Sequence, residues 1–445
     1  MDMLEKVKSV SLSAAGRVLH GASKASKKVK DHGGKQDDQY LVALDIGTEF
    51  VKALIGKVHE AEGTVEIVGV GRTHQGLSDM QAGAISDIAA VVENCDKALN
   101  QAEEQAGVSV RSAIIGIAGE LVKGTTTTVR VARKEATKPL DITEVEKIIN
   151  LVQERAQTKA KQQLAWELGG KEVDVRLVNS ALVSIEIDGY PVTNPIGFQG
   201  KDVVVQLYTA FAPLIHIGAL EKTAQELDLD LLAVAAEPFA VARAVIGNNT
   251  NQNLSAILMD VGGGTTDIAV INDGGVQGTK MFGIGGRAYT HAVERDLSVE
   301  FEQAEELKIG LSTNKVPQTK RPAIEVALGK TADVWINGIE LALSEFTKLD
   351  HLPYRMFLCG GGSSLDLLMD RLEKTDWYKT LPFTRKPSVH HIQPGQVAGI
   401  TDSTGNVSDH TFITAMGLLR VGMDTRQFSG GPSSIRDKLD KMLSV

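Results

Sequence analysis

A glycine-rich turn between two aspartates is the stretch of this sequence with the clearest capacity for chemistry. Residues 258–271, LMDVGGGTTDIAVI, run from an apolar segment through Asp260, three glycines and two threonines to Asp267 and a second apolar segment. Glycines have no Cβ, so their backbone N–H groups can approach and cup phosphate oxygens. The hydroxyls of Thr265 and Thr266 can add donors, and carboxylates supply the oxygen ligands that Mg²⁺ prefers, often through water.

This motif is not a Walker P-loop. It lacks the Gly-Lys-Ser/Thr ending whose lysine reaches the β- and γ-phosphates, and a strand pattern rather than a helix pattern follows it. Phosphate binding by Gly262, Gly263 and Gly264 therefore competes with a plainer interpretation, a tight β-turn with solvated acids. The motif by itself leaves both interpretations open.

A second stretch, ALDIGTEFVKALI at residues 43–55, repeats the same plan. An apolar strand ends in Asp45, one apolar residue leads to Gly47 and Thr48, and an apolar strand follows. Two such units can face each other across a cleft, so we interpret the echo as an internal duplication. Chance similarity between two buried hairpins is the alternative. The duplication favours phosphate binding and makes Asp45 and Asp260 candidate metal ligands.

The motif CGGGSSL, residues 359–365, lies at a predicted strand–loop–helix junction. Such a junction presents N–H groups at a helix N-terminus, where phosphates bind. Gly360, Gly361 and Gly362, followed by Ser363, would also let a flat base lie on the backbone. The alternative is a structural turn.

Two shorter motifs carry less information. Glu305 and Lys308 in AEELK share one helix face and can clasp a ribose or form a surface ion pair. GIGGRA, residues 283–288, formally matches a dinucleotide-binding fingerprint, but the required βαβ context is not evident. We do not interpret it as one.

Composition indicates a multidomain α/β protein. The chain has 445 residues, 42% of them hydrophobic, and 44 glycines. A net charge of −9 does not favour a nucleic-acid partner. Cys95 and Cys359 are far apart in sequence, which fits a reducing compartment. We see no secretory signal and no apolar run of ~18 residues that would span a membrane.

Both ends of the chain have amphipathic patterns. Residues 1–35 hold eight Lys/Arg against three acids, and their apolar residues fall on one broad helical face with lysines beside it. That layout is typical of a helix lying in an anionic bilayer interface; a solvated basic arm or a partner-docking helix is the alternative. The tail 433–443 has a shorter apolar stripe and is a second candidate for membrane contact.

The order of these motifs resembles the actin/Hsp70/sugar-kinase superfamily. The resemblance implies an α/β, actin-like (ribonuclease H-like) two-domain ATPase fold that holds ATP and Mg²⁺. It makes the two hairpins phosphate loops, AEELK the ribose contact and GGGSS the adenosine loop. AEPFAVARAV, residues 236–245, resembles the helix that connects the halves. Its Glu237 stands where relatives place the residue that orients the attacking water, and a helix-capping acid is the alternative.

Longer segments resemble the bacterial cell-division family FtsA over roughly residues 38–425. They include the D-G, P-x-G and Gly200 pattern within residues 184–205, where Gln199 replaces the usual serine, and an almost continuous match at 283–308. GLSDMQAGAISD and DITEVEKIINLV resemble the subdomain inserted in the first half of FtsA proteins. In the second half, the family usually has a longer hairpin where this chain has only about twenty residues, 311–330. We therefore expect the small subdomain that contains this hairpin to be shorter here.

This resemblance implies an ATP-binding protein of the bacterial cytoplasm, peripheral on the inner face of the membrane at the division site. It would self-associate head to tail and tether the FtsZ division polymer, through the FtsZ C-terminal tail, to an anionic membrane surface. Glu237 and Asp260 would be the catalytic residues of a slow ATPase. The alternatives are a PilM-like pilus-assembly scaffold and a small-molecule kinase, for which the sequence shows no separate acidic base.

The predicted domains follow from these assignments. They are the basic arm and linker at 1–37, a first actin-like half at 38–70 and 175–245, an inserted FtsA-type subdomain at 71–174, a second actin-like half at 246–425, and a linker with an amphipathic tail at 426–445.

Overall fold

The computed structural model describes residues 39–246 and 254–429, with side chains to residue 426. The amphipathic segments predicted at 1–35 and 433–443 lie outside the described residues. Among the helices that the structure describes, none is both long and apolar enough to cross a membrane.

The described residues form strands and helices in a mixed order. The strands are β1 (Tyr40–Ile46), β2 (Phe50–His59), β3 (Thr64–His74), β4 (Met80–Gln81), β5 (Ala84–Ile85), β6 (Ser112–Ile117), β7 (Lys123–Ala132), β8 (Val175–Ile187), β9 (Tyr190–Pro191), β10 (Asp202–Pro213), β11 (Asp230–Ala236), β12 (Ala256–Val261), β13 (Thr266–Asn272), β14 (Gly275–Phe282), β15 (Arg355–Cys359), β16 (Ser388–His391) and β17 (Ile400–Asp402). The helices are α1 (Ile88–Ala106), α2 (Ile142–Glu167), α3 (Leu214–Glu226), α4 (Glu237–Ile246), α5 (Gly286–Leu297), α6 (Phe301–Ser312), α7 (Arg321–Ser344), α8 (Asp366–Lys374) and α9 (Ile413–Ser429).

The first sheet has the strand order β11-β6-β1-β2-β3-β17. β1 and β2 form an antiparallel hairpin, while β6 runs parallel to β1 and to β11. The helix α1 lies very close to β3. A Cβ on Gly71 of β3 would stand only 1.8 Å from the carbonyl oxygen of Ala98 in α1. The glycine therefore permits the close helix–strand packing that fixes this sheet.

The second sheet has the order β16-β15-β12-β13-β14-β7-β10-β8-β9. Its β12–β13 hairpin is antiparallel, and β15 pairs in parallel with β12. Trp335 of α7 is fully buried under this hairpin, and its indole Nε1 donates to the hydroxyl of Thr266 at 2.9 Å. Each sheet thus presents one hairpin of the predicted duplication.

Several local predictions are confirmed. The spacing of apolar residues predicts helices at 85–106 and 141–157; the structure has them at Ile88–Ala106 and, extended by ten residues, at Ile142–Glu167. Asp141 caps α2 by accepting from the backbone N–H of Glu144 at 2.9 Å. The connection between α6 and α7 contains no strand among residues 313–320, all of which the structure describes, as the trimmed subdomain predicts.

The predicted limits of the inserted subdomain need correction. β6 and α1 lie within residues 71–174, yet β6 stands between β11 and β1 in the first sheet. β8 and β10 were expected in the first half, yet they pair with β7 in the second sheet. The reason is that β6 is an almost wholly buried apolar strand, which requires a central position in a parallel arrangement. Between β6 and β11, the strands β7 to β10 of residues 123–213 lie outside the first sheet.

Candidate functional site

The two acid-bearing hairpins face one cavity of about 570 Å³. Its walls contain most of the predicted site residues: Asp45, Gly47, Thr48, Glu237, Asp260, Gly262, Gly263, Thr265, Asp267, Glu305, Lys308, Gly360, Gly361 and Gly362. The structure therefore brings together residues that lie far apart in the sequence. A cavity of this size is typical of small-molecule and cofactor sites.

The first hairpin presents a buried ion pair to the cavity. The register of β1 and β2 places Asp45 opposite Lys52, and the Lys52 Nζ lies 2.9 Å from an Asp45 carboxylate oxygen. Both side chains are largely buried. Lys52 was not predicted as a site residue, although its position in FVKALI places it across the hairpin from Asp45.

The second hairpin presents two acids from opposite strands. Asp260 and Asp267 are cross-strand partners, and the turn between them is closed by the Gly262 N–H donating to the Thr265 carbonyl at 2.9 Å. Thr414 donates its hydroxyl to Asp260. One Asp267 oxygen accepts from the Thr265 hydroxyl at 3.3 Å, and the other is buried without a protein hydrogen-bond partner.

The two hairpin turns touch each other. A Cβ on Gly263 would stand 2.8 Å from the Cβ of Glu49, and a Cβ on Gly264 would stand 2.6 Å from the Thr48 hydroxyl oxygen. The bare backbone is therefore needed at both positions for the turns to meet. A larger side chain at Gly263 would push the two hairpins apart.

The segment GIGGRA braces the second turn. The Gly286 N–H donates to the Gly262 carbonyl at 2.9 Å, and the Arg287 N–H donates to the Gly263 carbonyl at 2.8 Å. A Cβ on Gly285 would stand 2.7 Å from that Gly262 oxygen. The glycines of this motif thus allow close backbone contact with the turn, a structural role different from that of a dinucleotide fingerprint.

Glu305 and Lys308 form an internal pair, not a surface one. The Lys308 Nζ lies 2.6 Å from a Glu305 carboxylate oxygen and also donates to the Gly286 carbonyl and the Thr290 hydroxyl. The Lys308 side chain is buried. Both residues lie on α6 and line the cavity, where Lys308 contacts the first turns of α5, so the surface ion pair considered for AEELK is wrong.

The glycine turn after β15 closes another side of the cavity. Gly360 has a φ of 82°, which disfavours other residues, and a Cβ there would stand 2.0 Å from an Asp260 carboxylate oxygen. A Cβ on Gly362 would stand 2.8 Å from the Gly262 carbonyl oxygen. This turn therefore packs directly against the second hairpin.

Three predicted ligand residues do not line the cavity. Thr266 follows Thr265 on a strand, so it faces the opposite side, where its hydroxyl donates to the Ile284 carbonyl at 2.6 Å. The buried Ser363 hydroxyl donates to the Gly360 carbonyl at 2.7 Å. Gly264 packs against Thr48. The prediction of direct ligand contact is corrected at these positions to a structural role.

Glu237, the first residue of α4, points into the same cavity and is buried. Among the described residues, no protein group donates a hydrogen bond to its carboxylate. Burial, together with the charges of Asp45, Asp267 and Asp260, raises the pKa of Glu237 well above its usual value. Burial and the charge of Asp260 also raise the pKa of Asp267 well above its ordinary range.

Four buried acids of the cavity wall, namely Asp45, Glu237, Asp260 and Asp267, share one lysine, Lys52, whereas the other two acids of the wall pair with Arg287 and Lys308. If all four were ionised, they would leave an excess of buried negative charge. Such an arrangement is costly unless a cation balances it. Within the described part of the chain, no group of three or more His, Cys, Asp or Glu forms a complete metal site. A Mg²⁺ ion would therefore take its remaining ligands from water or phosphate, and the unpartnered Asp267 oxygen fits such an ion.

Sequence reasoning missed the residues that join the two halves. Arg287, Glu49 and His74 all line the cavity, and Glu49 bonds to both of the others. These residues belong to three different segments, and no local spacing brings them together. The one available signal was the position of Arg287 directly after the two glycines of GIGGRA.

The buried carboxyl of Asp267 predicts a specific pH dependence. Its raised pKa means that the folded state favours the protonated form, so stability falls as pH rises from the ordinary aspartate pKa through the raised one. Asp267→Asn should therefore increase the free energy of unfolding at pH 7, without nucleotide or Mg²⁺, by on the order of 1 kcal/mol. Urea titrations at pH 5 and pH 8 measure this, and the gain should be larger at pH 8.

Asp273→Asn is the matched control, because Asp273 is exposed at the far end of the same hairpin. Its stability should follow the wild type at both pH values. A loss of stability in Asp267→Asn at pH 8 would show that the Asp267 charge is not destabilising.

The sequence of this chain is similar to those of known cell-division proteins. The family model described as "Cell division protein FtsA" matches residues 257–417. FtsA of Pseudomonas aeruginosa is 26% identical over 426 residues, which cover 90% of this chain and 93% of that protein. FtsA of Neisseria meningitidis is 27% identical over 411 residues, with 86% and 90% covered.

A solved structure shares the fold. The PilM–PilN type IV pilus biogenesis complex contains a chain that matches with a TM-score of 0.62 at 15% identity, covering 86% of this chain and 98% of that chain. At this identity the match shows the fold alone. The resemblance inferred from the motifs is confirmed: the chain has an actin-like ATPase fold and is similar over most of its length to cell division proteins FtsA.

Proposed function

We propose that this protein binds ATP with Mg²⁺ between its two acid-bearing hairpins and acts in bacterial cell division. The observation that carries the proposal is the excess of buried carboxylates facing two glycine turns in one cavity. The division role is supported by similarity to FtsA proteins over most of the chain.

The phosphates would lie between the two turns. The Gly263 backbone and the Thr48 hydroxyl supply donors of the kind that bind phosphate oxygens, while the N–H groups of Gly47 and Gly262 close their own turns. Lys52 adds a cation on the same wall. Asp45 and Asp260 would hold Mg²⁺, mainly through water, and the bound ion would neutralise phosphate charge.

The nucleoside would occupy the other side of the cavity. The Glu305 carboxylate can accept hydrogen bonds from ribose hydroxyls. Lys308 holds this carboxylate in place through their ion pair and is itself bonded to the Gly286 carbonyl. Gly360, Gly361 and Gly362 leave a surface without side chains on which a flat base can lie. This assignment follows the order of motifs in the superfamily that the sequence resembles.

Glu237 would serve as the base for slow hydrolysis. Its carboxylate faces the cavity, and within the described residues no protein donor holds it. A raised pKa suits a group that must accept a proton near neutral pH. In the ATP complex, Mg²⁺ would lower this pKa and favour the ionised form. Asp260 would contribute by holding the metal beside the transferred phosphate.

The partners we propose follow from the relationship to FtsA. They are the FtsZ C-terminal tail, a second copy of the chain in a head-to-tail polymer, and an anionic membrane surface on the inner face of the cell membrane. Membrane contact would come from residues 1–35 and 433–445, which lie outside the described residues. A PilM-like scaffold is the second candidate, because the motifs leave it open and a chain of a pilus biogenesis complex shares the fold.

Substitution of the second turn tests nucleotide binding. Asp260→Ala should abolish Mg²⁺-dependent ATP binding by removing a metal ligand, and Gly263→Val should weaken it at least tenfold by separating the turns, since a side chain there meets Glu49. Titration calorimetry with ATP and Mg²⁺ measures both, with Asp273→Asn as the control. Unchanged affinity in both variants would contradict the phosphate-loop assignment.

Glu237→Gln tests the hydrolytic role. It keeps the shape of the side chain but cannot accept the proton, so ATP affinity should persist while turnover falls about 10²–10⁴-fold. Single-turnover hydrolysis of bound ATP measures the rate even when it is slow. The wild-type rate should rise with pH as the Glu237 carboxyl ionises. A variant that hydrolyses ATP at the wild-type rate would assign Glu237 a helix-capping role.

A peptide pull-down tests the partner class. The protein with ATP and Mg²⁺ should retain the C-terminal tail peptide of the FtsZ from the same organism, and should not retain the PilN segment of the organism's pilus machinery. A scrambled tail peptide is the control. Selective retention of the PilN segment would favour the PilM-like scaffold.

A further inference from the structure

Arg287 connects the two phosphate turns across the cavity. Its backbone N–H donates to the Gly263 carbonyl in the second turn at 2.8 Å. Its guanidinium Nε lies 2.7 Å from a carboxylate oxygen of Glu49, which follows Thr48 in the first turn. A further guanidinium nitrogen donates to the Leu77 carbonyl at 3.2 Å. One residue is therefore bonded to both sides of the cleft.

The Arg287–Glu49 pair is sheltered from water. The side chains are 11% and 21% exposed, respectively. Burial acts to raise the pKa of Glu49, but the hydrogen bond and charge of Arg287, with a smaller contribution from His74, outweigh it and lower the pKa. Partly buried charge pairs are screened less by water and salt than surface pairs. The pair is therefore ionised and coupled at neutral pH.

The pair stands where the turns meet. The Cα of Gly263 faces the Cβ of Glu49, so the contact between the turns and the ion pair involve the same residue. The first turn belongs to the β1–β2 hairpin of one sheet, and Arg287 begins α5, which follows the other sheet. Any movement that separates the turns has to stretch or break this pair.

We propose that Arg287 is a positioning residue that clamps the two phosphate turns at a fixed spacing, and that release of the Arg287–Glu49 pair opens the cleft for nucleotide exchange. The part of this inference that concerns nucleotide rests on the proposed function. The clamp itself is a property of the protein without nucleotide.

His74 has a different role from Arg287. Its Nε2 lies 2.6 Å from the other Glu49 carboxylate oxygen. His74 and Glu49 both belong to the first sheet and its hairpin turn, so their contact cannot resist separation of the turns. Loss of His74 would remove one partner of Glu49 and leave the bond across the cleft in place. His74→Gln therefore distinguishes a clamp from a general effect of disturbing Glu49.

Hydrogen exchange on the full chain without nucleotide tests the clamp directly. Arg287→Gln and Glu49→Gln should each speed backbone amide exchange in residues 46–50 and 262–264 by on the order of tenfold. The double variant should be no faster than either single variant, because both remove the same interaction. His74→Gln and Arg295→Gln should change exchange less than twofold. Arg295 lies on the same helix and pairs with Asp296 away from the cleft.

Release of a fluorescent ATP analogue, measured by stopped flow with excess ATP, tests the consequence. Arg287→Gln should release the analogue on the order of tenfold faster, with a smaller change in its binding rate. The double variant with swapped charges, Glu49→Arg with Arg287→Glu, should release the analogue more slowly than either single variant. This restoration supports the clamp even where a single reversal lowers the stability of the fold.

Three results would overturn the inference: unchanged amide exchange in Arg287→Gln, additive effects in the double variant, or an equal effect of Arg295→Gln. A wild-type protein that binds no nucleotide would instead refute the proposed function. In that case, amide exchange in the nucleotide-free protein still decides whether Arg287 clamps the turns.

Discussion

Four carboxylates that share one buried cavity impose the constraint on which this structure depends. Asp45, Glu237, Asp260 and Asp267 all face the space between the hairpins, where Lys52 is the basic residue that pairs with one of them. Burial, and then repulsion between charges of one sign, raises the pKa values of Glu237 and Asp267. The folded chain tolerates this because the hydrogen bonds of Thr265 and Thr414 and the surrounding sheets hold the side chains in place. A ligand that carries a divalent cation would bind favourably here, because the cation would offset the repulsion between the carboxylates.

The rest of the fold holds these four acids close together and largely shielded from solvent. Each hairpin lies in the interior of its sheet and packs into a cluster of buried apolar residues, and the glycine turns let the two hairpins meet closely. GIGGRA and the turn after β15 then brace the second hairpin through its backbone carbonyls and Asp260. Glycine permits the turns to approach closely, the sheets keep them rigid, and the Arg287–Glu49 ion pair links them through charged side chains.

The sequence predicts features that are local. Asp45, Gly47 and Asp260 were identified from strand–acid–turn patterns that span a few residues, and the helix carrying Glu305 and Lys308 follows from periodicity. It does not predict contacts that depend on long-range pairing. The parallel position of β6 beside β1 shifts the limits of the inserted subdomain, and the Arg287–Glu49 pair joins residues 238 positions apart. Thr266 and Ser363 were predicted to contact the ligand because the motifs specify residue types but not side-chain directions. Strand alternation turns Thr266 away from the cavity, and the Ser363 hydroxyl instead bonds to the Gly360 carbonyl.

Thermal unfolding of the wild-type protein in matched ligand conditions tests the central claim that the excess carboxylates form a metal–phosphate site. ATP with Mg²⁺ at about one hundred times the dissociation constant should stabilise the fold by roughly 2.7 kcal/mol and raise the midpoint by several degrees. ATP with EDTA, and Mg²⁺ alone, should each give a clearly smaller rise. An equal rise for ATP in EDTA, or no rise with ATP and Mg²⁺ together, would contradict the account.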